Sequence, residues 1–313
     1  MKEVGQDNAP VLLVGSNKLT YSIAICLQKA GHPVILSTTD KEKAVDYITG
    51  YSAEAGEMVV SKGFKIIQDL DFKREVKMAI AITDENLSAK KQLIGKLESS
   101  LSPNTLIAIN TESIPLDELQ NGASAPERIV GLNWVEPATT TLFLEIIANS
   151  TTRQSYVDYI YQTANLTWGK DPYTIQGETG IRMRLFAAML REAFYLVKND
   201  YATVEDIDRA CRNDAGYYLP FAGNLRYMDL MGTYAYGMVM KDLNPELAAD
   251  KTAPDFFVSL IQNATLGMKS GIGFYDYRPG ESQKWEALLK QFSHQVSALF
   301  EKYPFNYKTQ EVG

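Results

Sequence analysis

Short, continuously apolar runs alternate with helically spaced ones through the first half of the chain. Val11 to Gly15 is apolar and closes on glycine. Leu19 to Ala30 repeats its apolar positions with a helical period and stops at Gly31, and Pro33 to Ser37 is apolar again. This strand–helix–strand opening predicts an α/β fold built on a parallel, doubly wound sheet. Further strands are expected at Phe64 to Ile67, Met78 to Ile82, Thr105 to Asn110, Ile129 to Asn133 and Leu142 to Ile147. Between them, Asn86 to Leu101 reads as a helix that packs Leu87, Leu93, Leu97 and Leu101 on the sheet. From about Gly177 the pattern turns helical, with helices expected over Ile181 to Lys198, Thr203 to Arg212, Ala253 to Asn263 and Gln283 to Phe300. Thr203-Val-Glu-Asp206 has the layout of a capping box, with Asp in the usual Glu position.

Composition narrows the function more than the fold. The 313 residues suffice for two domains, and 45% apolar with 22% charged residues is ordinary for a globular chain. A net charge of −7 argues against nucleic acid or an anionic membrane as the main partner. No apolar run approaches the ~18 residues that span a bilayer, and the first ten residues lack the apolar core of a signal peptide. Cys26 and Cys211 stand alone in helical apolar patterns, so they are expected to be buried thiols of a reducing compartment, the cytoplasm. No cluster of Cys or His offers a metal site.

The first strand–helix turn is Gly15-Ser-Asn17-Lys-Leu-Thr20, where a dinucleotide-binding fold has Gly-x-Gly-x-x-Gly. Only the glycine of the tight turn remains. Asn17 adds a side chain where pyrophosphate lies, and Thr20 adds bulk between helix and sheet. The acid that binds the adenosine ribose falls at Thr38, within Ser37-Thr38-Thr39-Asp40. Three outcomes stay open: a weakened NAD site, an NADP site served by hydroxyls and Lys18, Lys41 or Lys43, and a loop that holds no dinucleotide.

Gly131-Leu-Asn133-Trp-Val-Glu136-Pro137, with Glu145 twelve residues after Asn133, resembles the catalytic segment of the 3-hydroxyacyl-CoA dehydrogenase family, Gly-x-His-Phe-x-Asn-Pro then Leu-x-Glu. The likeness runs from roughly Pro10 to Tyr277. Glu85 and Lys90 stand where the family's Glu and Lys line the cofactor cleft. Asn110-Thr-Glu112-Ser resembles Asn-Thr-Ser-Ser, with Glu112 at the serine that touches substrate and cofactor. Glu136 takes the place of the asparagine on the nicotinamide side. Ile181-Arg-Met183-Arg184-Leu185 resembles Asn-Arg-Leu, with Met183 at the substrate-contacting asparagine, and Lys269-Ser-Gly271-Ile-Gly273-Phe-Tyr275 matches the family's ending. The resemblance implies a Rossmann-like dinucleotide-binding domain over residues 1–176, a helical substrate and dimerisation domain over 177–277, and a helical extension over 278–313. It implies NAD or NADP as cofactor, contacted by Gly15, Asn17, Thr38, Glu85, Lys90, Glu136 and Lys269, and an acyl-CoA or other small-molecule substrate met by Glu112 and Met183. The family's lysine-bearing excursion between the second and third strands, which helps hold CoA, is reduced to a compact Asp40 to Phe64 with Lys62 and Lys65 at its end.

In the family a histidine takes the hydroxyl proton and a glutamate orients it. Here Asn133 occupies the histidine's position and Glu145 the glutamate's, and an amide accepts no proton near neutral pH. His32 and His294 lie elsewhere and read as structural or solvated. Losing a positioned base costs roughly 10²–10⁴ in rate. Glu112, Glu136 and Glu145 are expected to converge on one pocket, where crowding raises the pKa of one toward that of a base; alternatively Glu145 is kept for a hydrogen bond and the others are rim residues. The readings are therefore an oxidoreductase with an altered site, a pseudoenzyme kept as a binding or regulatory module, a dehydrogenase for a cationic hydroxy acid, and a structural protein whose cleft is filled by Met183, Trp134 and tyrosines. Phe186, Met189, Phe194, Tyr217, Tyr218, Phe221, Tyr234 and Tyr236 supply either the core of the helical domain or a homodimer surface.

Overall fold

In the computed structural model, which describes residues 9–55, 63–70 and 75–305, the apolar runs of the first half form one sheet. Its strands are β1 (Val11–Val14), β2 (Val34–Ser37), β3 (Phe64–Ile67), β4 (Met78–Ala81), β5 (Leu106–Ile109), β6 (Ile129–Trp134), β7 (Phe143–Ala148) and β8 (Asp171–Gln176). They lie in the order β3-β2-β1-β4-β5-β6-β7-β8. The order reverses between β1 and β4, the switch point beside which such sheets bind ligands. Every pairing is parallel except β6 with β7. Only a short loop joins those two strands, too short for the crossover that parallel neighbours require.

Alternate residues of each strand face opposite layers, both covered. Leu13, Leu36 and Ile80 pack with α1 (Lys18–Lys29), α2 (Lys41–Ala55) and α5 (Gln154–Thr167) through Ile23, Leu27, Ile48 and Ile160. Leu12, Ile35 and Ile107 pack with α3 (Leu87–Ser100) and α4 (Leu116–Gln120) through Ile94, Leu97 and Leu119. Helix α3 begins where expected, with Asn86 Oδ1 accepting from the Ala89 amide at 2.9 Å. Near the far end of the first layer, Trp134 and Trp168 stack with centroids 5.4 Å apart. The indole of Trp168 donates to His32 Nε2 at 3.0 Å, so His32 is a structural acceptor, and burial holds its pKa below the usual range. Cys26 is buried, its thiol donating to the Trp168 carbonyl. Cys211 departs from expectation: it is only half-buried, in a single π-helical stretch.

Contacts divide the chain into two units, Met1–Met183 and Arg184–Gly313. The second holds most of α6 (Ile181–Lys198), then α7 (Val204–Ala210), α8 (Gly216–Met231), α9 (Thr233–Leu243), α10 (Asp255–Gln262) and α11 (Glu281–Lys302). The capping box of α7 forms as read, with the Asp206 amide donating to Thr203 Oγ1 and the Thr203 amide to Asp206 Oδ2. Helix α8 is interrupted at Gly223, whose φ of 68° suits glycine. Lys269 lies exposed in a turn held by bridges from Ile272 to Gly267 and Asp276. The glycines of that motif answer a backbone need: a Cβ on Gly273 would lie 2.7 Å from the Gly267 Cα.

Candidate active site

The antiparallel register sets Asn133 of β6 directly opposite Glu145 of β7. Both are fully buried, and Asn133 Nδ2 donates to Glu145 Oε2 at 2.9 Å. Its second N–H donates to the Thr111 carbonyl at 2.7 Å, and its Oδ1 accepts from the Thr111 amide at 2.8 Å. The amide side chain thus imitates one more strand residue alongside Thr111, a pairing that imidazole, with one donor and one acceptor in a different geometry, does not reproduce. The other oxygen of Glu145 accepts from Tyr173 Oη at 3.0 Å and from the amides of Ile181 and Arg182 at 2.8 and 3.2 Å. Those two amides open α6, so the carboxylate caps a helix start at the favourable end of its dipole. Burial, then the charge of Glu145, pushes the Tyr173 phenol well above its usual range. A Cβ on Gly180 would lie 2.0 Å from Glu145 Oε2, so glycine there is a condition of the clasp.

Glu112 follows Thr111 and is placed by that anchoring. Its two oxygens accept from Arg182 Nη1 at 3.0 and 3.1 Å. The same guanidinium nitrogen lies 3.4 Å from Met183 Sδ, and its plane sits 5.8 Å from the Phe143 ring. Burial is the largest influence on the Glu112 carboxyl and raises its pKa; Arg182 opposes this, while Glu145 and Glu85 add to it. Of the three carboxylates expected to converge, Glu112 and Glu145 meet around Arg182. Glu136 does not join them: its Oε1 accepts from Tyr47 Oη of α2 at 2.6 Å, because the loop after β6 turns toward that helix.

Behind Glu112, Glu85 Oε1 accepts from the amides of Glu112, Ser113 and Ile114 at 3.0, 2.8 and 2.9 Å. Burial alone would raise its pKa, but those amides and Lys90 outweigh it and hold the carboxyl below its ordinary value. Lys90 is wholly enclosed and donates to the Asn110 carbonyl at 2.6 Å and to Thr83 Oγ1 at 3.1 Å. Glu85 and Lys90 therefore tie the segment from Asn110 to Ile114 in place, and Lys90 acts through that segment.

At the switch point, a Cβ on Gly15 would lie 2.4 Å from Thr20 Oγ1 and 2.6 Å from the Ile82 carbonyl, so the tight turn demands glycine. Asn17 Oδ1 turns back to accept from the amide and hydroxyl of Thr20 at 2.9 and 2.8 Å, capping α1. Across from it, Ser16 Oγ accepts from the Thr39 amide at 2.9 Å and from both threonine hydroxyls, Thr39 at 2.8 Å and Thr38 at 3.1 Å. These hydroxyls supply donors and acceptors for a ribose without the carboxylate that repels a 2′-phosphate. The residues at this end fit either NAD or NADP.

Residues 10–178 match the family model described as 3-hydroxyacyl-CoA dehydrogenase, NAD binding domain, and residues 181–277 match that of the C-terminal domain. The chain belongs to the 3-hydroxyacyl-CoA dehydrogenase family. It is 31% identical to the fatty acid oxidation complex subunit alpha of Vibrio vulnificus, over 66% of this chain and 28% of that protein. It is 27% identical to the 3-hydroxyadipyl-CoA dehydrogenase of Escherichia coli, over 86% of this chain and 59% of that one. The chain therefore spans between 28% and 59% of the length of these curated relatives. Its fold superposes on the crystal structure of a 5-formyl-3-hydroxy-2-methylpyridine 4-carboxylic acid 5-dehydrogenase with a TM-score of 0.83, at 23% identity, covering 95% of this chain and 99% of that one. Membership brings an NAD-binding domain of the Rossmann type followed by a helical C-terminal domain, as expected from the sequence. Among the described residues no helix is long and apolar enough to cross a membrane, and no cluster of candidate ligands could hold a metal.

Two site residues escaped sequence reasoning. Tyr173 belongs to β8, a strand not anticipated. Arg182 carried a signal: a cation beside Met183 that answers the new negative charge of Glu112.

Proposed function

We propose that the chain is an NAD(P)-dependent oxidoreductase acting on a 3-hydroxyacyl or related hydroxy acid, with Glu112 as its proton acceptor in place of the family's histidine. One observation carries the reading. Beside the fixed Asn133–Glu145 pair, Glu112 is a half-buried carboxylate held by a single guanidinium, and burial raises its pKa. Glu145 has donors on both oxygens and serves as an anchor. When bound, the dinucleotide supplies the hydride acceptor. Gly15, Ser16, Thr38 and Thr39 would hold it, with Asn17 at the turn. Glu112 takes the hydroxyl proton, and Arg182 steadies the oxygen that remains. Glu85, Lys90 and Asn133 position Glu112 through the Asn110–Ile114 segment. Glu136 and Lys269 are assigned to neither role.

The test is turnover of acetoacetyl-CoA with NADH and with NADPH, and the reverse reaction with 3-hydroxybutyryl-CoA. Glu112→Gln should lower kcat by about 10²–10⁴ and leave dinucleotide binding unchanged. In the oxidative direction a base must be unprotonated, so wild-type rate should climb with pH through the Glu112 titration, and that limb should vanish in the variant. A variant as fast as wild type would refute the assignment.

A second reading, a binding module without turnover, is favoured by Asn17 capping α1 where pyrophosphate belongs. It expects no hydride transfer with any hydroxy acid, whichever dinucleotide is supplied. For either reading we assign the chain to the cytoplasm and to a homodimer, the free thiols supporting the first and the exposed apolar side chains of the second unit the other.

A further inference from the structure

One face of α6 carries a ladder of cations. Arg184, Arg191 and Lys198 follow one another at two-turn spacing, about 10 Å per step. Ala187 and Ala188 lie on the same face between the first two and leave the floor between them open. With Lys251 from the segment before α10, these residues line a groove of about 620 Å³ that also presents the Tyr195 and Phe194 rings. That volume lies in the range of small-molecule sites. Arg184, Arg191, Lys198 and Lys251 are all exposed, and none forms an ion pair or hydrogen bond with a described residue. Asp250 is the single carboxylate among the lining residues, so the groove is strongly positive on a chain of net charge −7. Phe194 is braced against Phe256 and Phe257 with centroids 5.6 and 4.9 Å away, so the floor at that end is rigid.

Unpaired cations set well apart, two of them arginines suited to bidentate contact with phosphate, select a ligand bearing more than one phosphate. Aromatic rings between cations select a planar base. We infer that this groove of the second unit binds a nucleotide with at least two phosphates, its phosphates on Arg184, Arg191, Lys198 and Lys251 and its base on Tyr195. The ligand is either a free nucleotide or the nucleotide end of a larger carrier. The inference is independent of Glu112 and of turnover.

Calorimetric titration of the full chain, pre-saturated with NADH, tests it with adenosine 3′,5′-bisphosphate, ATP and inorganic pyrophosphate. A nucleotide should bind and weaken as salt is raised. Arg191→Glu should weaken it at least tenfold with NADH binding unchanged, and Arg191→Ala should do so less strongly. Preference for the 3′,5′-bisphosphate identifies a carrier end and preference for ATP a free nucleotide; both uphold the site. Three results would overturn it: no nucleotide binding at millimolar concentration and low salt, pyrophosphate binding as tightly as any nucleotide, or both folded Arg191 variants binding as wild type does.

Discussion

At the scale of the residue, the site is governed by one fully occupied carboxylate. Removing Glu145 leaves the fully buried Asn133 amide, the half-buried Tyr173 hydroxyl and two N–H groups at the start of α6 without their acceptor; an unsatisfied buried donor costs about 1–3 kcal/mol, and the more open ones cost less. Glu145→Ala should therefore lose about 3 kcal/mol or more of unfolding free energy, read from urea denaturation. Gly180→Ala should approach the same loss, because its new methyl collides with Glu145 Oε2. An unchanged urea midpoint in Glu145→Ala would show that the clasp contributes nothing to folding. The identity of this pair was readable from the chain alone, since the family spacing puts Asn133 opposite Glu145. What could not be read was which remaining carboxylate is available. That depends on Arg182 and Tyr47, which chain spacing alone does not bring to Glu112 and Glu136.

At the scale of the element, the interior strands were legible because both faces are covered and each reads as a mainly apolar run, interrupted at Asn133 in β6 and Glu145 in β7. The edge strand β8 was not. Asp171, Thr174 and Gln176 are exposed, and no apolar run marks it. Helix α2 was missed because it buries only Ala44, Ile48 and Tyr51 among its described side chains. Helices α8 and α9 escaped because Pro220, Gly223 and Gly232 break any helical period. Lys62, set at the end of the compact Asp40 to Phe64 stretch, lies outside the described residues. Helix α1 shows a trade in its first turn, where Asn17 caps the helix with the atom that crowds the phosphate approach. Asn17→Gly should cost a few tenths of a kcal/mol in stability. It should also tighten NADH by about 1 kcal/mol, roughly fivefold, in a fluorescence titration. Weaker NADH binding in that variant would mean that Asn17 helps hold the dinucleotide.

At the scale of the whole molecule, the two units differ in how they hide apolar surface. Among the described residues of the second unit, Ala222 and Ala248 are the hydrophobic side chains that are buried, while Tyr217, Leu225 and Tyr234 are each about four fifths exposed. Of the aromatic positions that looked like either core or interface, Phe186, Tyr217, Phe221 and Tyr234 are exposed in the single chain, while Phe194, Tyr218 and Tyr236 are half-buried. Apolar surface on this scale is ordinarily covered by another molecule, and a second copy is the proposed cover. The 34.9 kDa chain should sediment at twice its mass at micromolar concentration. Leu225→Glu combined with Tyr234→Glu should shift it toward the monomer and lower its melting temperature. A wild-type chain that stays monomeric would refute this.

The stacked pair of Trp134 and Trp168 has a practical consequence. Two indoles 5.4 Å apart couple electronically, which splits their circular dichroism into a paired band, whereas Trp285 on α11 stands half in solvent and reports through its emission. The nucleotide-binding unit and the helical unit therefore carry separate optical labels built into the wild-type sequence, so the melting of each is followed in one sample without a dye.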